Sequence, residues 1–554
     1  MLGRAVRSAV ASVVRRWEIR RIVEHARRVK ALDGAQAAAR VLSRGLESHP
    51  HDARLWNDLS ALQIQQQQFA EAEYSARCAL ELRPDLAEAH SNLGIVRAQR
   101  GEEDSALGSF RRALQLDPAL TAARENQAAL LSRLQRVDDA IAAWDELLRI
   151  DPSHAMAYAG KGALLLRAGW IGEARDQLER AKALGLHAPH VTLHLALVEA
   201  AAGDAAAAER IIESLRGQSE DAEIDWNLAL IRLSRGDFAA GWPLYEARLR
   251  KSFESPRRAY PFPEWSGESL ASGELLVMAE QGLGDEIMFA SCYPDLLERA
   301  PRCVIECDPR LAGLFARSFP GASVFGAPRD NDGRWLNGYP EVRRQIHAGS
   351  LPRLFRTGAD RFPRRAGYLR PDDRRVEAWR GRLSALGETL KAGISWSGGL
   401  PHTRRELRRV PLAELAPLLR DPRYLFVSLQ YDDDGSGAAQ LSALSGAIVH
   451  VFPEALGNPD EMAALMRALD LVITVCSSAA HLGGSIGAPT WVVAPSVPEW
   501  RYLRTGETLP WYPSVRLFRQ QRNGEWSPVI ANVAAALHAR AAQRRRTGQA
   551  GSGQ

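Results

Sequence analysis

The sequence predicts two folds in series: a solenoid of paired helices over about residues 1–250, then an α/β region of two doubly wound halves. Three observations carry this. Pro50, Pro84, Pro118 and Pro152 stand 34 residues apart, and Ala38, Ala72, Ala106, Ala140, Ala174 and Ala208 keep the same period in another phase. Past about residue 273 the pattern changes to short apolar runs alternating with helical stretches. Two of those runs lead into small-residue turns that open helices, at Glu280–Ile287 and at Ile473–Pro489.

The chain has 554 residues, too many for one core. Its 46% apolar and 25% charged content is that of a soluble globular protein, and no run of about 18 apolar residues suggests a bilayer span. The net charge of +5 gives no argument for nucleic acid. The first thirty residues are basic and lack the apolar stretch and cleavage site of a secretory signal. They read as a helix with Val6, Val10, Val13 and Trp17 on one face, either a cap on the array or a membrane-surface helix. The five cysteines are scattered, which fits free thiols in a reducing cytosol, and Cys303 and Cys307 have no second ligand pair for zinc. No metal site is expected.

Within the array, antiparallel helices pack closely only where small residues sit at their crossing. Ala72 and its equivalents fill one such position, and Ser60, Gly94, Ala128 and Gly162 fill the other. Phe110, Trp144 and Leu178 fill the hole between hairpins. Each proline follows a second helix, where its missing N–H and fixed φ end that helix. Gly101, Gly169 and Gly203 mark turns within hairpins. The pattern resembles the tetratricopeptide repeat over about residues 17–250, in roughly six hairpins. The resemblance implies a peptide- or protein-binding arm; a rigid spacer or a dimerisation surface is the plainer alternative. Asn57, Asn92 and Asn126 recur on successive first helices, where they fit a clamp on a peptide backbone and a solvated helix face alike.

Residues 251–273 read as an ordered connector, because Tyr260, Phe262 and Trp265 would not stay exposed among its prolines. Buried parallel strands are expected at Leu275–Ala279, Val304–Glu306, Ser323–Phe325, Ala392–Trp396, Leu425–Leu429, Ile448–Phe452, Leu471–Val475 and Thr490–Ala494. A break near Lys391 divides them into halves at 274–390 and 391–543, with a tail at 544–554. Ligands of such sheets bind at the carboxyl ends of the strands.

In Glu280-Gln281-Gly282-Leu283-Gly284-Asp285-Glu286-Ile287, the glycines Gly282 and Gly284 allow a tight turn after the first strand. Asp285 then lies at a helix start, where it serves equally well as a cap or as a base for an attacking hydroxyl. In the second motif Ser477 and Ser478 head a helix and form a phosphate cradle with its amides, with His481 one turn further on. Ser395-Trp396-Ser397-Gly398-Gly399 is followed by Arg404, Arg405, Arg408 and Arg409, charges suited to a diphosphate leaving group or to a solvated basic loop. Asp432-Asp433-Asp434 invites a metal reading, but before Gly435 it reads as a solvated turn.

These two motifs, with Trp265-Ser-Gly-Glu, Ser428-Leu429-Gln430, Leu469–Thr474 and Trp511-Tyr512-Pro513, resemble the heptosyltransferase-like family of GT-B glycosyltransferases, in particular bacterial members fused to tetratricopeptide repeats. The resemblance implies inverting, metal-independent transfer from a nucleotide sugar, a co-substrate rather than a cofactor. It aligns the base with Asp285, and the acceptor-side turn with Gln281, Gly282 and Gly284. It aligns the donor-binding residues with Cys476, Ser477, Ser478, His481, Gln430 and Arg408 or Arg409. One departure stands out: Cys476 occupies a position where the family usually has aspartate. The expected protein is a cytoplasmic glycosyltransferase acting on a polypeptide held by the repeats, with flagellin as the nearest analogy. A transferase acting on lipopolysaccharide or another glycan, and a non-catalytic scaffold with a decayed sugar domain, are the alternatives.

Overall fold

The structure is a computed structural model that describes residues 2–217, 221–250, 260–270, 272–280, 282–328, 331–399, 405–431 and 434–551. Gln281, Arg404, Asp432 and Asp433 lie outside the described residues, as do 251–259 of the connector and the side chains of Val6, Val10 and Val13. The chain divides into two compact units, Met1–His194 and Leu195–Gln554.

The first unit opens with the helix Leu2–Ser48, interrupted at Gly34, whose φ of 85° is left-handed. Four hairpins follow: Ala53–Gln65 with Phe69–Leu82, Ala87–Gln99 with Glu103–Leu116, Thr121–Arg133 with Val137–Ile150, and Ala155–Ala168 with Ile171–Ala183. Ile19, Ile22, Ala26, Ala38, Leu42 and Leu46 of the opening helix pack on Leu55, Leu59 and Leu62 of the first hairpin. Trp17 stays exposed, with the Arg21 guanidinium over its ring.

The small residues sit where the period places them. A Cβ on Gly94 would lie 2.6 Å from the Phe110 ring, and one on Gly162 would lie 2.7 Å from Leu178. Ser60 keeps its hydroxyl at the crossing and donates it to the Ala72 carbonyl, 2.8 Å away. The prolines carry a second regularity. Their carbonyls accept side-chain hydrogen bonds from the residue six positions on, Trp56 for Pro50, Arg124 for Pro118 and Tyr158 for Pro152, and His90 bonds Pro84 in the same way. Four different side chains satisfy one recurring orphan acceptor beside a helix start.

The second unit begins with helices Ala205–Arg216, Ala222–Ser234 and Phe238–Tyr245, the last running on into the turn Glu246–Leu249. Two sheets follow. The first is β1 (Glu274–Met278), β2 (Cys303–Cys307), β3 (Ala322–Gly326) and β4 (Val342–His347), in the order β3-β2-β1-β4 and all parallel. The second contains β5 (Leu390–Ile394), β6 (Tyr424–Ser428), β7 (Val449–His450), β8 (Leu471–Val475), β9 (Thr490–Ala494), β10 (Thr508–Leu509) and β11 (Tyr512–Arg519). Its order is β10-β11-β9-β8-β5-β6-β7, parallel throughout except between β10 and β11.

Four strands differ from the sequence expectation. β4 reads Val-Arg-Arg-Gln-Ile-His, a largely polar strand at the edge of its sheet rather than a continuous apolar run. The connector completes it: the Trp265 N–H donates to the Gln345 carbonyl and the Gln345 N–H to that of Pro263, at 2.7 and 3.1 Å. β10 and β11 form an antiparallel hairpin whose outward residues are polar. β7 is two residues long, against the five expected at 448–452.

The last repeat helices share the core of these sheets. Trp242 is buried, its indole N–H donates to the Arg356 carbonyl, and its ring meets Trp500 and Trp511. Tyr245 meets Phe289 and Trp500. No helix among the described residues is long and apolar enough to cross a membrane.

Candidate functional site

β1 ends at Met278, and the chain turns through Gly282 into the helix Leu283–Phe289. Asp285 lies in its first turn but makes no cap bond; its carboxylate turns instead to Arg501. Arg501 Nε donates to Asp285 Oδ1 at 2.9 Å, and its Nη2 reaches the same oxygen. Both side chains keep a small exposure, 16% for Arg501 and 17% for Asp285, so the pair stands at the surface of a buried network. Burial pushes the Asp285 carboxyl above the usual aspartate range, and Arg501 offsets part of that rise. Burial draws the Arg501 guanidinium down, but Asp285 and Glu499 outweigh it and keep Arg501 charged.

The helix Ser478–Ser485 follows β8 and packs directly on the helix of Asp285. Gly284 makes the approach possible: a Cβ there would lie 3.3 Å from His481 Cδ2 and 3.6 Å from Ser478 Cα. Asp285 and the turn Cys476–Ser478 are therefore neighbours, although they belong to different sheets. Tyr368 ties the helices together, its hydroxyl donating to the Ile287 carbonyl and its N–H to that of Ser485, each at 2.7 Å.

The carboxyl ends of β8, β5 and β6, adjacent in the sheet, form a polar cradle. Ser395 Oγ and Thr474 Oγ1 share a hydrogen bond of 2.6 Å, and Thr474 Oγ1 lies 3.1 Å from Ser477 Oγ. Gln430 Oε1 accepts the N–H groups of Trp396 and Ser397, each at 3.0 Å, and so fixes the turn after β5. Gly398 lets that turn approach the serine turn, because a Cβ there would lie 2.4 Å from Ser477 Cβ. Arg405 Nε donates to Ser397 Oγ at 3.0 Å.

Arg408 and Arg409 separate in space. Arg408 is buried, with Nη1 3.4 Å from the Cys476 carbonyl and 2.8 Å from Glu499 Oε1. Arg409 points outward and meets only the neighbouring Glu406 among its ion pairs. Cys476 itself is buried, and burial raises its thiol so that it stays protonated and adds no charge. Ser478 is half-buried at the head of its helix.

His481 occupies a different position from the phosphate ligand the sequence suggests. It is buried, its Nδ1 is 2.9 Å from the Tyr512 hydroxyl, and its Nε2 is 3.3 Å from that of Tyr502. Burial, with Arg501 second, pushes it down to about 3, so it is neutral. Both ring nitrogens are engaged beneath the turn, and the ring works as packing and polar support.

The three asparagines are not equivalent either. Asn92 Nδ2 donates to Asn57 Oδ1 at 2.9 Å, whereas Asn126 turns back to the Ala122 carbonyl of its own helix. Asp434 accepts the Ser436 N–H in an exposed turn. Among the described residues no group of three or more acidic, histidine or cysteine side chains is arranged to hold a metal.

The sequence reading missed Glu499 and Arg501. They lie in the loop after β9, and Glu499 bridges Arg408 and Arg501. One signal was available: Glu-Trp-Arg-Tyr, separated by four residues from the strand Thr490–Ala494, puts two charges and two aromatics in the loop at the ligand-binding edge of the sheet. The structure adds a second signal, Leu503 at φ 54°, a left-handed backbone on a branched residue, where strain commonly marks function.

A family profile described as tetratricopeptide repeat matches residues 63–120 and 126–189. The protein FlbA of Caulobacter vibrioides is 34% identical over 362 residues, 62% of this chain and 59% of FlbA, so the chain spans under two thirds of that relative's length. A tetratricopeptide repeat protein from Parabacteroides merdae is 18% identical with a TM-score of 0.36, the match covering 43% of this chain and 94% of that one. A thermophilic repeat protein of Thermus thermophilus is 16% identical with a TM-score of 0.30, covering 32% of this chain and 97% of its own. The profile match and the 34-residue packing of Ser60, Gly94 and Gly162 agree: the N-terminal part of this chain carries tetratricopeptide repeats.

Proposed function

We propose that the chain is an inverting, metal-independent glycosyltransferase of GT-B type, moving a sugar from a nucleotide donor to a polypeptide recruited by its repeats. The observation that carries this reading is the placing of one carboxylate, Asp285, beside the serine turn and arginines at the carboxyl edge of the second sheet. In the proposed reaction the acceptor hydroxyl gives its proton to Asp285 as its oxygen bonds the anomeric carbon. The bond from that carbon to the nucleotide phosphate breaks, and the leaving oxygen takes the electron pair. Arg408 and the amides heading the helix Ser478–Ser485 meet the charge that develops there. Arg501 favours the ionised form of Asp285 against the opposing effect of burial. The repeats supply the acceptor, with flagellin the first polypeptide to try, and a cytoplasmic setting fits the free cysteines.

The test is the purified chain with candidate polypeptides and a panel of uridine, guanosine and cytidine nucleotide sugars. Mass spectrometry should find one added sugar on an acceptor hydroxyl, with one nucleotide released per transfer, and Asp285→Asn should abolish both. Failure of every nucleotide and nucleotide sugar to bind would sink the reading. The non-catalytic scaffold is the second reading, favoured by one observation: the uncharged, buried Cys476 where the resembled family usually has aspartate. Nucleotide binding without turnover would select it.

A further inference from the structure

The repeat array caps itself in a regular way. Arg133 Nη2 donates to the Ala98 carbonyl at 3.0 Å and Arg167 Nη2 to the Ser132 carbonyl at 2.5 Å, so in two successive repeats an arginine one repeat later satisfies the end of a first helix. Positions 200 and 234 continue that series at the repeat length of 34, at the ends of helices Pro189–Ala202 and Ala222–Ser234. There the donor changes. Both carbonyls are taken by Arg504, its Nη2 bonding Ala200 and its backbone N–H bonding Ser234 at 2.8 Å. At Ala200 the loop after β9 takes the place of Arg235, which pairs with Glu209 instead, and at Ser234 it caps a helix that no further repeat follows.

That loop carries Glu499 and Arg501. Between Arg501 and Arg504 lies Leu503 in its left-handed conformation, and Arg519 holds the carbonyls of Tyr502 and Leu503 at 2.6 and 3.0 Å. Trp500 beside Arg501 packs on Trp242 and Tyr245 of the last repeat helix. The same hairpin also reaches Glu280, five residues before Asp285. Arg248 Nη2 donates to Glu280 Oε1 at 2.8 Å and to Ser350 Oγ at 3.0 Å, and the Gly349 N–H also donates to Glu280 Oε1, at 2.8 Å. Glu280 begins the turn that ends in Asp285. Burial pushes its carboxyl up, but Arg248, His347 and the Gly349 N–H outweigh this and keep it ionised.

We propose that the last repeat hairpin, residues 222–249, is a working part of the reaction centre: through Arg248 it sets the Asp285 turn, and through the Arg504-capped loop it sets Arg501. Arg248 and Arg504 are positioning residues, since neither touches the reacting atoms. This rests on the reading of Asp285 as the base. It adds that the last repeat hairpin and the chemistry share one structural element.

The test uses the full-length chain with Arg504→Ala, Arg504→Lys and Arg248→Gln. Hydrogen exchange should quicken about threefold or more in segments 282–289 and 497–503 of Arg504→Ala and Arg248→Gln, and by more there than in 471–475 and 490–494. Turnover should fall about tenfold with donor KM within about twofold, and the acid limb of kcat/KM should move to higher pH. Arg504→Lys, which keeps a donor for Ala200, should recover at least half the turnover. Wild-type exchange in both segments, or faster exchange spread evenly through residues 195–554, would overturn the proposal. Absence of transfer by wild-type chain together with the predicted exchange pattern would reject the catalytic reading and leave the positioning intact.

Discussion

The carboxyl edges of the two sheets hold opposite chemistry. The first sheet ends in carboxylates: Glu280 and Asp285 after β1, and Glu306 within β2, fully buried and bonded to the Tyr260 hydroxyl at 3.1 Å. The second ends mainly in hydroxyls, an amide and cations, Ser395, Ser397, Gln430, Ser477, Arg408 and Arg501, with Glu499 bridging the two arginines. Buried anions on one side need cations from elsewhere, and the chain supplies Arg501 from the second sheet and Arg248 from the last repeat hairpin. A proton acceptor and an anion cradle placed side by side are what a displacement at a phosphorylated carbon requires. Each edge is therefore incomplete without the other.

The sharpest way to break this complementarity is Asp285→Asn, which keeps shape and removes the charge. Loss of a general base typically costs about two to four orders of magnitude in rate. We predict that loss in kcat with nucleotide affinity retained, measured by single-turnover transfer and calorimetry; more than about a third of wild-type turnover is too much for a missing base.

Next is Arg248→Met, which strands Glu280 as an uncompensated buried carboxylate. Removing one partner of such a pair costs about 3–5 kcal/mol. Urea unfolding of the second unit should show a loss of that order, and Arg248→Met with Glu280→Gln should recover part of it. An unchanged midpoint in the single variant would mean that the acidic edge does not depend on the hairpin.

Gly398→Ala addresses the cradle. Its new methyl would sit 2.4 Å from Ser477 Cβ, so the turns after β5 and β8 must separate. Overpacking of this kind costs about 1–3 kcal/mol, and nucleotide affinity should fall about tenfold or more, as 1.4 kcal/mol is one decade. Wild-type affinity in a folded Gly398→Ala chain would show that nucleotide does not use this cradle.

The mildest effect is in pH. His481 is neutral in the fold down to about 3, whereas an unfolded histidine protonates near 6.5. Its contribution to stability is complete above about 6.5 and is lost progressively as pH falls toward 3, by at most about 1.4 kcal/mol per pH unit. Thermal midpoints between pH 7 and 5 should decline less steeply in His481→Gln than in wild type. Equal slopes would mean that the ring is hydrated enough to protonate in place. At the base the sign is opposite: the raised Asp285 carboxyl puts the acid limb of kcat/KM above an ordinary aspartate's value of about 3.9.

The sequence by itself determined the elements whose cause is local. A proline ends its helix, Gly94 meets Phe110 sixteen positions on, and a glycine turn after an apolar strand opens a helix; each depends on neighbours within one repeat or one strand-turn-helix unit. Asp285, Gly284 and the serine turn were legible for that reason. The outer strand β4 was hidden because its sequence reads as polar, with only Val342 and Ile346 apolar. Tertiary structure decided what lies far apart along the chain: Arg501 is 216 residues from Asp285, and Arg504 is 304 from Ala200. It also decided roles. Arg408 and Arg409 are adjacent and chemically identical, yet one is buried against Glu499 and the other meets solvent. His481 reads as a ligand until two tyrosines from later in the chain close over it. A charge or hydrogen-bonding group acquires its function from its partner, and nothing in a local pattern names a partner two hundred residues away.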